Sequence, residues 1–390
     1  MNKKRVVVGI SGGVDSGVAA YVLQQQGYDV VGLFMRNWHD TTGLKSAACS
    51  YEDDILFAEM VANKLGILLH EVDLSGPYRK RVIDYLFKEY EAGRTPNPDV
   101  LCNREIKFDA FAEEALKLGA DFLATGHYCR KESIETDGVI RHRLLAGLDD
   151  NKDQSYFLCQ LNQKQLETAL FPIGELTKPE VRQIAREQNL ANADRKDSQG
   201  ICFVGKVDLP TFLQQQLAAK EGDVIEIPPD SALVRDMDDL FSLAKPYAFT
   251  PELGDSVGKH KGAHFYTVGQ RKGLNIGGKP EPLFVIGTDV VKNILYVGQG
   301  QNHPLLFKQA LFIRNEDMHW IRPDLALANG EERDFLFRIR YRQKLQEGTL
   351  FMKDDGGYVH FKDPQRAVVS GQFAAFYQND ELIGSGVIHN

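Results

Sequence analysis

"RVVVGISGGVDSG", residues 5–17, decides how this chain is read. A run of valines breaks directly into glycines and two serines set around Asp15. The continuation "SGVAAYVLQQQG", 16–27, spaces small and apolar residues at helical period and closes on Gly27. A strand therefore runs through a glycine loop into a helix. In parallel α/β folds that crossing, at the carboxyl end of a strand, is where ligands bind. Glycines let backbone approach a ligand closely, and the helix start offers free N–H groups to an anion. Ser11 and Ser16 add hydroxyls. The stretch reads as a phosphate cradle. It lacks GxxxxGK[ST] and GxGxxG, so it is neither a Walker A loop nor a dinucleotide fingerprint.

Working outward, "YDVVGLFMRNW" reads as a second strand and "YEDDILFAEMVANKLG" as a helix ending in glycine. "ILLHEVDL", then the helix "IKFDAFAEEALKLG", then "ADFLATGHY" continue the alternation. It persists through "TKPEVRQIAREQNL" to about residue 205. Strands alternating with helices of this length predict a parallel α/β sheet covered on both faces. Beyond 205 the chain turns rich in Gly and Pro, and from about 280 it is mostly short strand candidates separated by turn residues. The expected organisation is an α/β domain over 1–205, a small central domain over 206–279 and a β-barrel over 280–390. No repeat of 20–50 residues is visible.

The 390-residue length suits two or three domains. With 43% hydrophobic and 26% charged residues the composition is globular. The net charge of −8 excludes a histone-like basic coat, yet a local basic surface can still bind nucleic acid. No apolar run reaches the roughly 18 residues of a membrane span, and the start does not read as a signal peptide. A cytoplasmic chain is expected. Five scattered cysteines make neither a disulfide framework nor a CxxC zinc site, and no metal is assigned.

Two cysteines stand in unusual settings. In "GRTPNPDVLCNREIKF", 93–108, Cys102 is expected at or just before a helix N-terminus, where the helix field favours a thiolate. Asp99 is near enough to move protons, and Arg104 and Lys107 are local charges that sequence alone cannot aim. In "ADRKDSQGICFVG", 193–205, Cys202 follows a polar, glycine-containing loop. Cys49, Cys129 and Cys159 read as buried small hydrophobes. A nucleotide loop together with two reactive thiols suggests replacement of an activated oxygen by sulfur.

"SGGVDS", 11–16, resembles the PP-loop of the ATP pyrophosphatase superfamily, whose members transfer AMP to an oxygen so that a nucleophile can displace it. Together with "GRTPNPDVLCNREIKF", "GHY", "KDQSYFL", "KDSQGICFVG", "FYTVGQRKGL" and "VVSGQFAAFY", the chain resembles the bacterial tRNA-specific 2-thiouridylases over nearly its whole length. That resemblance implies ATP-dependent sulfur transfer to C2 of the wobble uridine in tRNAs for Lys, Glu and Gln, on an adenine nucleotide alpha hydrolase-like domain, a small central domain and a C-terminal β-barrel. It assigns Gly9, Ile10, Ser11, Gly12, Gly13, Val14, Asp15, Ser16, Met35 and Gly126 to ATP, with Mg2+ bound alongside and Asp15 near it or shaping the loop. Asn97, Pro98 and Asp99 would face the target base, with Asp99 as proton acceptor. Cys202 would carry the persulfide and Cys102 would be the second thiol. His127, Lys152, Asp153, Gln154, Arg340, Tyr341 and Gln372 would contact tRNA. The implied partners are tRNA and a sulfur donor, either a cysteine desulfurase or a relay carrier. The chain would act as a monomer. Position 17 is Gly where many relatives carry Ser, which removes one hydroxyl from the loop.

The residues add their own argument for RNA. In "FRIRYRQK", 337–344, Arg338, Arg340, Arg342 and Lys344 alternate with Phe337, Ile339 and Tyr341. On a strand that pattern puts four cations on one face, suited to a phosphate backbone. Tyr341 would then face away from Arg340, unless the strand ends or bulges there. "GQRKGLNIGGK", 269–279, adds a basic loop with Arg271, Lys272 and Lys279. A buried target base would have to be flipped into a pocket, and the prolines of "TPNPDV" would stiffen its wall. Two competing readings remain: another PP-loop enzyme, such as a tRNA 4-thiouridine synthetase or an amidotransferase-type synthetase, and a non-catalytic RNA-binding protein.

Overall fold

The structure, a computed structural model, describes residues 3–38, 51–196, 209–231, 233 and 239–389. Strand β1 (Arg5–Gly9) is central, and its valines Val6, Val7 and Val8 are all fully buried. The alternation of a strand explains this. Val7 points into one core with Val31, Leu33 and Tyr78, while Val6 and Val8 point into another with Val18, Ala19 and Leu23. A continuous apolar run is what a parallel strand covered on both faces requires.

Helix α1 (Val14–Gln25) follows the glycine loop and stops where Gly27 takes φ +87°. Then come β2 (Asp29–Arg36), α2 (Tyr51–Leu65) and β3 (Leu69–Asp73). Helical segments at 75–91 and 98–117 lead to β4 (Phe122–Ala124). The hairpin β5 (Cys129–Thr136) and β6 (Val139–Ala146) then departs from the sheet, and β7 (Ala169–Leu170) returns to it. The sheet order is β3-β2-β1-β4-β7, all parallel. A helix at Lys178–Glu187, with a capping box of Thr177 and Glu180, closes the module and packs against α1.

β8 (Gly222–Glu226), β9 (Asp255–His260), β10 (Leu283–Asp289) and β11 (Ile294–Gln299) form a second sheet, ordered β10-β11-β8-β9. This corrects one expectation. Strands 283–299, grouped by sequence with the barrel, belong to the central module because β11 pairs with β8 from Ile294↔Asp223 to Val297↔Glu226.

β12 (Phe307–Arg314), β13 (Met318–Trp320), β14 (Glu332–Arg338), β15 (Gln346–Lys353), β16 (Gly356–Arg366), β17 (Phe373–Gln378) and β18 (Glu381–Val387) build the C-terminal antiparallel sheet. A bridge from His389 to Phe312 joins its two sides. The departing hairpin belongs here too, since β6 pairs with β18 at Leu145↔Glu381 and Leu144↔Leu382. One apolar core accordingly runs through both modules and contains Cys129, Tyr156, Cys159, Phe373, Tyr377 and Leu382. Among the described residues no helix is long and apolar enough to cross a membrane.

Candidate active site and RNA-facing surface

The loop Gly9–Ser16 owes its shape to its neighbours. Gly12 has φ +75°, and a Cβ there would meet Asp54 O at 2.3 Å, so only glycine fits. Asn192 Nδ2 donates to Gly12 O and Gly13 O, both at 3.0 Å, and Arg195 Nη1 donates to Gly12 O at 3.2 Å. Ser16 Oγ donates to Gly13 O and accepts from Ser11 N. With these carbonyls tied down from outside, the start of α1 has no side-chain cap, an arrangement that suits an anion. Gly17 faces elsewhere: a Cβ there would lie 3.3 Å from Val61 Cγ1 and 3.4 Å from Asn192 Nδ2. Ile10, Val14 and Met35 put their side chains into the apolar cores, which leaves only their backbone for a nucleotide.

Asp15 is held by two residues that the sequence reading missed. Lys178 Nζ lies 2.7 and 2.9 Å from its two carboxylate oxygens, and Tyr128 OH donates to Oδ1 at 2.8 Å. Asp15 therefore shapes the loop. One signal did exist for Lys178. A lysine in the first helical turn opposes the helix dipole, a local inconsistency that asks for a partner.

The turn Thr125–Tyr128 joins this loop to the cysteine segment. Gly126 is pressed on the loop, where a Cβ would lie 2.8 Å from Asp15 C and Ser16 N. His127 Nδ1 lies 2.7 Å from Thr125 Oγ1, and its Nε2 lies 3.5 Å from Lys107 Nζ. Burial, helped by the Lys107 charge, pushes the His127 pKa well down, so its imidazole is neutral.

Lys107 and Cys102 share one helical segment, and it begins earlier than expected. Asn97 is its cap, accepting from Val100 N through Oδ1, with Pro98 in the first turn. Cys102 thus lies one turn inside the helix and is fully buried, not poised at an open N-terminus. It opens a π-helical stretch, Cys102–Ala110, a geometry common at functional sites. Asp99 and Cys102 are i,i+3 neighbours on this segment. Arg104 turns away to Glu105 and Gln160. Cys129 and Cys159 are buried thiols pushed up by desolvation, Cys159 to about 12, as suits packing residues. Cys202 and Cys49 lie outside the described residues.

The RNA assignments divide. Asp153 is a buried anchor, accepting from Gly147 N, Ser155 N and Ser155 Oγ and pairing with Arg338 at 2.6 Å. It has no surface to offer a tRNA. Gln154 accepts from Tyr128 N, and Lys152 is half-buried beside them. The four-cation row is also corrected. β14 ends at Arg338, whose side chain is 11% exposed and committed to Asp153. Arg340, Arg342 and Lys344 are exposed on the turn beyond, where Arg342 takes φ +63°. That turn removes the conflict over Tyr341, which packs on Phe157 with ring centroids 4.4 Å apart. Phe157 O in turn accepts from Asn103 Nδ2, next to Cys102. Gln372 bonds the 95–97 segment. The structure thus brings residues 97–103, 152–157, 341 and 372 together.

Three family models match in chain order. They are described as a tRNA methyl transferase HUP domain over 4–206, a tRNA methyl transferase PRC-barrel domain over 245–299 and an aminomethyltransferase β-barrel domain over 311–388. A curated protein of Christiangramia forsetii, tRNA-specific 2-thiouridylase MnmA, is 58% identical across 99% of this chain and 100% of its own length. The chain belongs to the tRNA-specific 2-thiouridylase family. The proteins of the same name from Flavobacterium johnsoniae and Bacillus subtilis are 57% and 46% identical, covering 99% and 98% of this chain and 100% and 94% of their own lengths. The domain descriptions speak of methyl transfer, whereas the relatives matched over nearly the whole chain are named as 2-thiouridylases.

Proposed function

We propose that this chain makes 2-thiouridine in tRNA at the expense of ATP, at the wobble position of the tRNAs for Lys, Glu and Gln. The observation that carries the reading is the Thr125–Tyr128 turn, which touches the phosphate loop through Gly126 and Tyr128 and the cysteine helix through His127. Activation and sulfur delivery then happen side by side.

The loop holds the pyrophosphate that leaves, through backbone N–H groups and Ser11 and Ser16. The uridine C2 oxygen attacks the α-phosphorus, forming an O–P bond and breaking the α–β bridge. Magnesium bound with the nucleotide would offset the charge of the leaving pyrophosphate; Asp15, already held by Lys178 and Tyr128, is not a free ligand for it. Asn97 to Asp99 line the base pocket, and Asp99 takes the N3 proton as C2 is activated. A persulfide on Cys202, loaded by a cysteine desulfurase or a relay carrier, forms the C–S bond with its outer sulfur. Asp99 returns its proton to N3 as the C–S bond forms, and Cys102 thiolate then attacks the Cys202 sulfur, leaving a disulfide and a C2 thiolate, which collapses to C=S as AMP departs. A dithiol reductant of the cell resets the pair. Neutral His127 and the Lys107 cation beside it wall the same chamber, and His127 is buried rather than an exposed RNA contact. The chain works as a cytoplasmic monomer.

The test is nucleoside mass analysis of tRNA incubated with the chain, ATP and a persulfide source. We expect 2-thiouridine, with AMP and pyrophosphate formed in step. The appearance of 4-thiouridine instead would move the chain to the other PP-loop reaction. Cys202→Ser and Cys102→Ser each abolish turnover on this scheme, and normal rates in either would remove that thiol from it.

A further inference from the structure

The corner between β16 and β17 reaches across to the base-facing segment and grips it at one residue. Thr95 N donates to Ser370 O at 2.9 Å, and the Thr95 hydroxyl lies 3.0 Å from the Thr267 hydroxyl of the central module. Gly371 has φ +89°, and a Cβ there would come within 3.0–3.1 Å of three backbone atoms of Thr95, so the approach demands glycine. Gln372 Nε2 donates to Thr95 O at 2.8 Å and to Pro96 O at 3.1 Å, while its Oε1 accepts from Asn97 Nδ2 at 3.3 Å. All three modules therefore meet two residues before the Asn97 helix cap.

A side-chain amide owns two N–H donors, and Gln372 spends both on carbonyls of this segment. A phosphate needs donors, so Gln372 as placed has none to give it. The amide of Asn97 is fixed from both ends, by Gln372 on its nitrogen and by Val100 N on its oxygen. We infer that Gln372, supported by Gly371 and Thr267, is a positioning residue that sets the Asn97 cap, and through it Asp99 and Cys102, in register with the RNA-binding modules. This rests on the proposed function for the roles of Asp99 and Cys102. Its consequence is that Gln372 acts on the rate of sulfur transfer through the helix cap and contributes little to RNA affinity.

Two measurements on the full chain test this. For Gln372→Ala, and for Gln372→Asn, whose shorter side chain cannot span the three bonds, the single-turnover rate at saturating tRNA falls on the order of 10- to 100-fold, as for a displaced catalytic segment. The tRNA Kd stays within about twofold, since the phosphate contacts that dominate RNA affinity are untouched. Amide hydrogen exchange over Val100–Cys102 speeds up in the same variants, and it does so in the free protein. A Kd that rises as in Arg340→Ala, with rate at saturation and exchange both unchanged, overturns the inference and returns Gln372 to the RNA contacts. The exchange measurement uses neither ATP nor RNA, so it holds or fails independently of whether the wild-type chain forms 2-thiouridine. Should Gln372→Ala not fold, Thr267→Val carries the test: faster exchange at the cap with unaltered RNA affinity supports the inference, and unchanged exchange defeats it.

Discussion

The phosphate loop and the basic stretch after β14 were equally conspicuous in the sequence, yet the fold treats them differently. In the loop every unusual residue has a local job: Gly12 sits under Asp54, Gly13 opens α1, and Ser16 closes on Gly13 O. A pattern dictated by backbone sterics survives folding unchanged. The alternation of Arg338, Arg340, Arg342 and Lys344 has no such local cause. It presumes a strand long enough to hold all four, and β14 ends at the first. Arg338 is spent on Asp153, and only the three later cations reach solvent. Periodicity predicts a face only as far as the element extends.

The largest effect that would sharpen this contrast is expected at Gly12. Gly12→Ala forces a Cβ to within 2.3 Å of Asp54 O at φ +75°. We expect loss of AMP formation by at least about 100-fold, in line with displacement of a transition-state anion site, with ATP affinity measured alongside. Next comes the pair that was read as one cationic row. Arg338→Ala leaves Asp153 buried without its partner and costs on the order of 3 kcal/mol, read from the denaturant midpoint, while the salt slope of tRNA binding is retained. Arg340→Ala should do the reverse, with stability kept and the slope reduced by about one. If Arg338→Ala lowers the salt slope and leaves stability intact, the division proposed here is wrong.

A smaller loss follows Lys178→Met. It strips Asp15 of its cation and weakens ATP binding, at about 1–3 kcal/mol of stability; calorimetric titration with ATP reads the first and urea unfolding the second. The double variant Asp15→Asn/Lys178→Met should recover part of the stability. The smallest effect is on pH. His127, His142, His260, His264, His303 and His319 all have folded pKa values pushed down by burial. The unfolded chain then binds more protons, so their stabilisation is present above about pH 6.5 and is lost as pH falls below it. Replacing His127 by Gln should flatten that part of the stability–pH curve, which unfolding at pH 7.5 and 5.5 would show.

Legibility followed the same rule. That β1 lies in a parallel sheet covered on both faces could be read because its valines and the glycine ends of α1 and α2 are local signals. Lys178 carried a local mark in the first helical turn, but its pairing with Asp15 was out of reach because only the packing of its helix on α1 brings the two together. The burial of Cys102 was missed because the Asn97-Pro98 cap was read as loop, although an Asn before a Pro is a fair helix start. The β5–β6 hairpin also carried a visible mark, Asp137-Gly138, both at positive φ as a two-residue hairpin turn needs. What sequence could not state was which sheet that hairpin would join.

That last fact bears on how the protein comes into being. The hairpin leaves the ribosome long before the strand it pairs with, at Glu381 and Leu382. Until then its edge, and the apolar surface around Tyr156 and Cys159 that Phe373 and Tyr377 later cover, have no partner. Unpaired strand edges of this kind are where nascent chains aggregate. The N-terminal module, matched over 4–206, is thus unfinished as a folded body until the strand at Glu381–Val387 is made, so a product cut short before that strand should be a client for chaperones and proteases rather than a free-standing ATPase.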